Sequence, residues 1–184
     1  MRLNKILKNA LLVICAGIIL TACATKKEVA VEVEKEAPKK EETKKEEVTK
    51  IEKIAGQMQG DVYVGTDSVK YLAEGVADRV FFATNESILT TASRETLRAQ
   101  AAWLRENSNI TVVLEGHADE RGTREYNLAL GERRANAAKD YLMTYGVSSD
   151  RITVISYGKE RPVDAGSTPL AWSKNRRSVT VKAN

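Results

Sequence analysis

A long charged segment divides this chain and decides how much of it can fold around a core. Residues 26–53 contain nine lysines, nine glutamates and no aromatic residue. Such a segment cannot bury enough apolar surface to offset the conformational entropy lost on ordering, so we predict a disordered tether. A transient single helix is the alternative, since Glu and Lys at i,i+4 spacing support one weakly. The folded part of the 184-residue chain is therefore predicted to follow this segment.

The N-terminus has the pattern of an export signal. Three basic residues in the first eight positions precede an uninterrupted apolar run, Ala10 to Leu20. This run is too short to span a hydrocarbon core of about 30 Å as a helix. The residues just before Cys23 resemble the bacterial lipobox, which implies cleavage after residue 22 and acylation of the cysteine. Because Ala24 rather than Asp follows, we expect a lipid anchor in the outer membrane, on its periplasmic face.

The charge balance and the cysteines exclude several function classes. The chain has 29 basic and 25 acidic residues, but three of the basic ones lie in the predicted signal peptide, 1–22. The charges of the remaining chain nearly cancel, so nothing suggests a nucleic acid partner. No cysteine follows Cys23, which excludes a disulfide scaffold and a cysteine-ligated zinc site in the body of the protein.

The tether, together with its cysteine, spans 23–56. The strand and helix patterns that alternate after it predict a two-layer α/β sandwich with one four-stranded sheet. Residues 57–77 form a transitional segment, in which 68–76 favours a short helix. In a helix predicted over 87–107, Leu97, Ala101 and Leu104 mark the buried stripe at i, i+4 and i+7. The other predicted elements are strands over 80–82, 110–116, 151–156 and 178–181, a helix over 123–145, and one helical turn near Trp172.

Polar residues cluster at the ends of three apolar elements. The segment 115–137 contains the most of them. Asp119 lies just past a strand end, between Gly116 and Gly122, where backbone can approach a ligand closely. Arg134 lies on the helix that follows. A carboxylate and a guanidinium that converge on one cleft suit a zwitterion, whose ammonium binds Asp and whose carboxylate binds Arg. A plain Asp–Arg salt bridge fits the same spacing and stays open as an alternative.

Three motifs resemble the OmpA C-terminal-like family of bacterial envelope proteins. They are GHADERGTREYNLALGERRANA, SYGKERP and AWSKNRR. The resemblance covers about residues 78–182 and implies an OmpA-like domain over 78–184, with β-α-β-α-β-β order and a mixed sheet. It also implies non-covalent binding of the diaminopimelate-bearing stem peptide of peptidoglycan. By motif position, Asp119 would hold the ligand's ammonium and Arg134 its carboxylate. Further binding positions implied by the family are Asn127, Leu130, Phe82, Ala83 and Arg177.

One departure from the family concerns the end of the first strand. Where relatives read FDFD, this chain has Phe82-Ala83-Thr84-Asn85, so backbone contacts can persist there without the acidic side chains.

The resemblance further implies TolB as a partner, with TolA as a second candidate, within the Tol–Pal system of envelope integrity and outer-membrane constriction at cell division. A general wall tether outside that system is the alternative within the same class.

A metal site and an envelope enzyme are the competing interpretations, and the sequence disfavours both. His117 is the only histidine, and one imidazole beside Asp119 and Glu120 rarely completes a metal shell. We predict instead a polar strand-end residue that packs beneath the pocket. No G-x-S-x-G elbow and no activated cysteine provides a nucleophile for a cell-wall hydrolase. We therefore predict a binding protein with no catalytic residue, no metal ligand and no cofactor.

Overall fold

The computed structural model describes residues 56–183. The predicted signal peptide over 1–22 and the predicted lipidation site Cys23 lie outside the described residues, as does the tether over 23–56 except for Gly56. The described part contains the whole of the predicted domain over 78–184 except its last residue. Among the helices of residues 56–183, none has the length and apolar character needed to cross a membrane.

One mixed four-stranded sheet forms the centre of the fold. β6 (Val112–His117) and β7 (Ile152–Gly158) run parallel, whereas β8 (Arg177–Lys182), the last strand, lies antiparallel between β5 (Arg79–Phe81) and β6. The predicted β-α-β-α-β-β order and the mixed sheet are therefore confirmed. The strands, in their spatial order, are β5 (Arg79–Phe81), β8 (Arg177–Lys182), β6 (Val112–His117) and β7 (Ile152–Gly158).

Two long helices cover one face of this sheet. α1 spans Thr91–Glu106 and α2 spans Arg124–Thr144. Thr90 and Thr123 cap them, each through a hydroxyl oxygen that accepts the N–H of the residue three positions on. Such caps satisfy an amide that has no partner within the helix. The helix predicted over 87–107, whose pattern is strongest from Thr91 on, begins at Thr91 because Thr90 caps it.

The core lies between these helices and the sheet. The predicted stripe of α1, made of Leu97, Ala101 and Leu104, is buried as expected. Leu114 of β6 and Leu142 of α2 are fully enclosed. Burying one such leucine stabilises a fold by roughly 1.5–3 kcal/mol, so this layer is the main hydrophobic contribution to folding. The remaining core residues are Val80, Phe82, Val112, Ala135, Ala138, Val147 and Ile152.

Two glycines allow α2 to lie directly against the sheet. A Cβ built on Gly116 of β6 would lie 1.8 Å from the carbonyl oxygen of Gly131 on α2. A Cβ on Gly131 would in turn lie 2.4 Å from Oγ of Ser156 on β7. That hydroxyl donates to the carbonyl of Leu128 at 2.6 Å, which adds a polar bond to the same contact. This close approach determines where the connection between β6 and α2 lies.

Residues 57–77 form two antiparallel hairpins, so the helix predicted over 68–76 is wrong. Gly75 makes the turn of the second hairpin with a φ of +72°, a conformation that glycine adopts freely and that interrupts a helix. Asp78 supports this hairpin, because its carboxylate accepts the N–H of Lys70 at 3.1 Å. The paired strands are β1 (Met58–Gln59) with β2 (Val62–Tyr63), and β3 (Tyr71–Ala73) with β4 (Val76–Ala77).

A short third helix precedes β8. α3 spans Pro169–Asn175, which confirms the helical turn predicted near Trp172. Thr168 caps it by accepting the N–H of Ala171 at 3.2 Å, and a proline suits the first helical position because the N–H it lacks would have no partner there. The helix brings Trp172 and Arg176 next to the residues that follow β6.

Candidate functional site

A cavity of about 400 Å³ opens where β6 leads into α2, beside the loop that follows β5. Larger grooves lie between the N-terminal hairpins and α1, at about 600 Å³, and on the sheet face that α1 and α2 leave open, at about 570 Å³. The smaller cavity is the candidate site because it joins the polar strand ends that the sequence singled out. Its lining residues are Thr84, Asn85, Asp119, Arg121, Gly122, Tyr126, Asn127 and Leu130.

Asp119 is buried at this cavity and is already paired with Arg121. The Nε and Nη2 atoms of Arg121 donate to its two carboxylate oxygens at 3.1 and 2.7 Å, and the backbone N–H of Arg121 donates at 3.1 Å. Burial favours a higher pKa for Asp119, but the hydrogen bonds and charge of Arg121 outweigh it and hold the pKa below its ordinary value. Asp119 is therefore a carboxylate at neutral pH.

A second guanidinium, that of Arg176, contacts Asp119 from within the protein. Its side chain is 2% exposed, and its Nη1 lies 3.4 Å from the Asp119 carboxylate. Its Nε donates to the Phe82 carbonyl at 3.1 Å, and its Nη2 donates to the Asp61 carbonyl. One side chain thus connects the end of β5, the segment that follows β6 and the turn between β1 and β2.

Arg134 is fully enclosed in the free protein. Its Nε donates to the Glu86 carbonyl at 2.8 Å, its Nη1 to the His117 carbonyl at 2.9 Å and its Nη2 to the Ala83 carbonyl at 3.0 Å. Through these three hydrogen bonds, the guanidinium connects the loop over 83–86 to the end of β6. Burial lowers the pKa of Arg134 to about 10, so the guanidinium stays charged at neutral pH. Within residues 56–183 the Asp119 carboxylate pairs with other guanidiniums, so the simple Asp–Arg salt bridge with Arg134 is not formed.

The other predicted binding residues lie at different depths. Asn127 is 2% exposed, and its amide nitrogen donates to the Arg121 carbonyl at 2.7 Å, so it shapes the wall of the cavity. Leu130 is buried in the same wall. The Phe82 side chain belongs to the core, which leaves its backbone to contact the site. Ala83 is half-buried, and its carbonyl accepts from the enclosed guanidinium beneath the loop.

Arg177 does not reach the cavity. It begins β8 and lines the groove on the open face of the sheet, so the structure brings Arg176 to the site instead. The His117 ring lies on that open face too, 5.5 Å from the Tyr157 ring and 3.7 Å from the Glu115 carboxylate. Burial, with the charge of Arg177, lowers the pKa of His117 to about 3, so the ring is neutral at pH 7. The ring therefore does not pack beneath the cavity as the sequence predicts, and the carbonyl of His117 accepts from Arg134.

Asp61 and Arg121 are site residues that sequence reasoning missed. Asp61 lies in the turn between β1 and β2, and its carboxylate accepts the N–H of Thr84 at 2.6 Å. No local pattern signals this contact, because it joins separate parts of the chain. Arg121 lies two positions after Asp119, a spacing at which a long side chain can fold back onto a carboxylate. That spacing is the signal that identifies it.

The fold and the site together define a domain of the OmpA family. This family matches residues 81–176, about half of the chain, and the chain belongs to it. The peptidoglycan-associated lipoprotein of Mesorhizobium japonicum is 54% identical over 106 residues, covering 58% of this chain and 63% of the relative. That of Pseudomonas aeruginosa is 50% identical over 97 residues, covering 53% and 57%. The chain thus spans less than two thirds of these curated relatives.

Solved structures agree with this assignment. The peptidoglycan-associated lipoprotein from Burkholderia pseudomallei superposes with a TM-score of 0.56 at 34% identity, covering 57% of this chain and 89% of that one. The C-terminal domain of Helicobacter pylori MotB gives a TM-score of 0.55 at 17% identity, covering 58% and 84%, and shows the shared fold alone. The resemblance inferred from the three sequence motifs is therefore confirmed.

Proposed function

We propose that this protein binds peptidoglycan non-covalently through the cavity at Asp119, and that a lipid anchor at Cys23 holds it to the periplasmic face of the outer membrane. The observation that carries the proposal is a buried, ionised carboxylate at a cavity in an OmpA-family domain. The 54% identity to a peptidoglycan-associated lipoprotein supports it. The ligand we propose is diaminopimelate in the stem peptide, which carries an ammonium and a carboxylate on one carbon.

The ammonium of diaminopimelate is proposed to bind Asp119, because its three N–H donors suit an ionised carboxylate. For the ligand's carboxylate we propose Arg134. Each of its three nitrogens donates one N–H to a backbone carbonyl. Nη1 and Nη2 carry two N–H groups each, so each of them has one donor left for a ligand. Since the side chain is fully enclosed, this contact requires the loop over 83–86 to move. Asn127 and Leu130 would then form the wall, and the backbone of Phe82 and Ala83 the opposite edge.

Replacing Asp119 with asparagine is expected to weaken binding of a diaminopimelate-containing muropeptide by about tenfold to a hundredfold. A hydrogen bond to a charged group is worth about 1.5–3 kcal/mol, and asparagine keeps the shape while removing the charge. Isothermal titration calorimetry on the purified protein measures the effect. Glu125→Gln is the matched control, since it removes an exposed carboxylate from the first turn of α2 and should bind like the parent. Parent-like affinity in Asp119→Asn would remove Asp119 from the site.

We further infer a place in the Tol–Pal system, with TolB as a partner and TolA as a second candidate, and with roles in envelope integrity and outer-membrane constriction at cell division. Similarity to peptidoglycan-associated lipoproteins supports this over a general wall tether outside that system. The same similarity supports a binding protein rather than a cell-wall hydrolase, since those names describe association with the wall. Retention of TolB by the immobilised protein, measured with and without sacculi, distinguishes the two binding roles.

Replacing Cys23 with serine is expected to abolish acylation and to release the protein from outer-membrane fractions, because two or more acyl chains are the proposed anchor. Labelling with radioactive palmitate and membrane fractionation measure both effects. Cys15→Ser is the matched control, because Cys15 lies inside the apolar run and follows Ile14 rather than a small residue. Palmitate incorporated by Cys23→Ser would show that the lipobox assignment is mistaken.

A further inference from the structure

We propose that Arg121 is an internal competitor for the ligand: its guanidinium occupies Asp119 in the free protein and must leave before a ligand ammonium can bind. The charge of Arg121 would then set the affinity and the selectivity of the site. This inference rests on the proposed function, because it concerns the same carboxylate. It adds a residue whose removal should strengthen binding, in contrast to the binding residues proposed above.

The Asp119 carboxylate has no acceptor capacity left for a ligand. A carboxylate offers about four lone-pair sites. Four donors already lie on it: the backbone N–H, Nε and Nη2 of Arg121, and Nη1 of Arg176 at 3.4 Å. Asp119 is also only 7% exposed, so water has little access to it. An incoming ammonium must therefore displace one of these donors.

The guanidinium of Arg121 is the donor best able to leave. Its side chain is 43% exposed, whereas that of Arg176 is 2% exposed. Arg176 also bonds two backbone carbonyls, so moving it would break the connection between β5 and the first hairpin. Apart from Asp119, the hydrogen bond of the Arg121 guanidinium is to Oγ1 of Thr84, at 3.4 Å. Because the Arg121 side chain is the exposed member of this pair and Arg176 still contacts Asp119, the guanidinium can leave without unfolding the domain.

The Arg121 guanidinium packs against Trp172 while it is bonded to Asp119, so this contact can still hold the side chain after it leaves the carboxylate. The central carbon of the Arg121 guanidinium lies 4.3 Å from the centroid of the Trp172 ring, within cation–π distance. The Glu120 carboxylate holds this ring by accepting its indole N–H at 2.9 Å. The hydrogen bonds to Asp119, together with the charges of Asp119, Asp61 and Glu120, raise the pKa of Arg121. Negative charge therefore surrounds the guanidinium even when it leaves Asp119.

An internal competitor of this kind makes the site selective for cationic ligands. A ligand with an ammonium replaces one cation on Asp119 by another, so the carboxylate stays paired. A ligand with an acetylated amine would leave the buried carboxylate with fewer charged partners, which is unfavourable. Arg121 thus lowers the affinity for neutral ligands, relative to cationic ones, more than Asp119 would by itself.

The test is Arg121→Gln, which removes the charge and keeps a polar side chain. We expect it to bind a diaminopimelate muropeptide about threefold to tenfold more tightly than the parent, as calorimetry measures, since the competing pair is lost. It should also discriminate less against the N-acetylated muropeptide. Arg124→Gln is the matched control: it makes the same charge change at a 63% exposed side chain paired with Glu160, and should bind like the parent.

The outcomes separate this inference from the proposed function. A parent that binds the muropeptide, together with an Arg121→Gln variant that binds equally or more weakly, overturns the inference and leaves the proposed function standing. A parent that does not bind any diaminopimelate muropeptide overturns the proposed function, and the inference with it. Thermal melts accompany each titration, because Arg121 is the exposed member of its pair and Arg176 still contacts Asp119, so the melting temperature should stay close to that of the parent.

Discussion

Replacing Arg134 with alanine is expected to lower the free energy of unfolding by roughly 3–5 kcal/mol, a large fraction of the stability of a domain this size. The carbonyls of Glu86 and His117 would lose the donor that Arg134 provides, the latter in a buried place, and the Ala83 carbonyl would keep only the N–H of Glu86 at 3.3 Å. Each buried polar group left without a partner costs about 1–3 kcal/mol. The truncation would also leave a cavity, because the side chain is fully enclosed.

Arg133 provides the matched control for this prediction. It is the preceding residue of α2 and is exposed, with its guanidinium 5.9 Å from the centroid of the Tyr126 ring. Arg133→Ala should change the free energy of unfolding by less than about 0.5 kcal/mol. Arg134→Lys should recover only part of the loss, since one ammonium cannot reproduce the planar donor geometry of a guanidinium. Equal urea midpoints for Arg133→Ala and Arg134→Ala would refute a structural role for the three carbonyl bonds.

Replacing Gly116 with alanine is expected to destabilise the protein by about 3 kcal/mol or more. The new Cβ would lie 1.8 Å from the carbonyl oxygen of Gly131, and a backbone atom within a helix cannot rotate away. Overpacking a core typically costs 1–3 kcal/mol, and a backbone collision is at the upper end of that range or beyond it. Because α2 would have to move off β6, muropeptide binding should fall together with stability. Urea unfolding and calorimetry measure the two effects.

Gly166→Ala tests whether this loss is specific to the contact between β6 and α2. Gly166 is exposed, and the nearest atom to its added Cβ would be the side-chain Oδ1 of Asp164 at 3.1 Å, which can shift. We expect a change of less than about 0.5 kcal/mol at this position. A Gly116→Ala variant as stable as Gly166→Ala would show that α2 can retreat from the sheet at little cost.

The order of the elements in the main domain could be predicted because each element carries its own local pattern. Leu97, Ala101 and Leu104 recur at helical spacing, and the same three residues are buried in the core. The segment 68–76 was mispredicted because its local composition tolerates a helix, while pairing across Gly75 favours a hairpin. Helix and hairpin propensities differ there by little, so tertiary context decides between them.

The sequence by itself determined the α/β order, the family and the candidate carboxylate Asp119, since each of these depends on residue type and short spacing. Only the tertiary structure decided that Arg176 joins the neighbouring Arg121 at Asp119, and that Arg134 and Arg177 do not. Buried polar groups take whichever donor or acceptor the packing brings close, and those partners are distant in the chain: Arg176 reaches Asp119 from beyond α3, and Arg134 bonds the loop after β5. Periodicity within one element carries no information about such contacts.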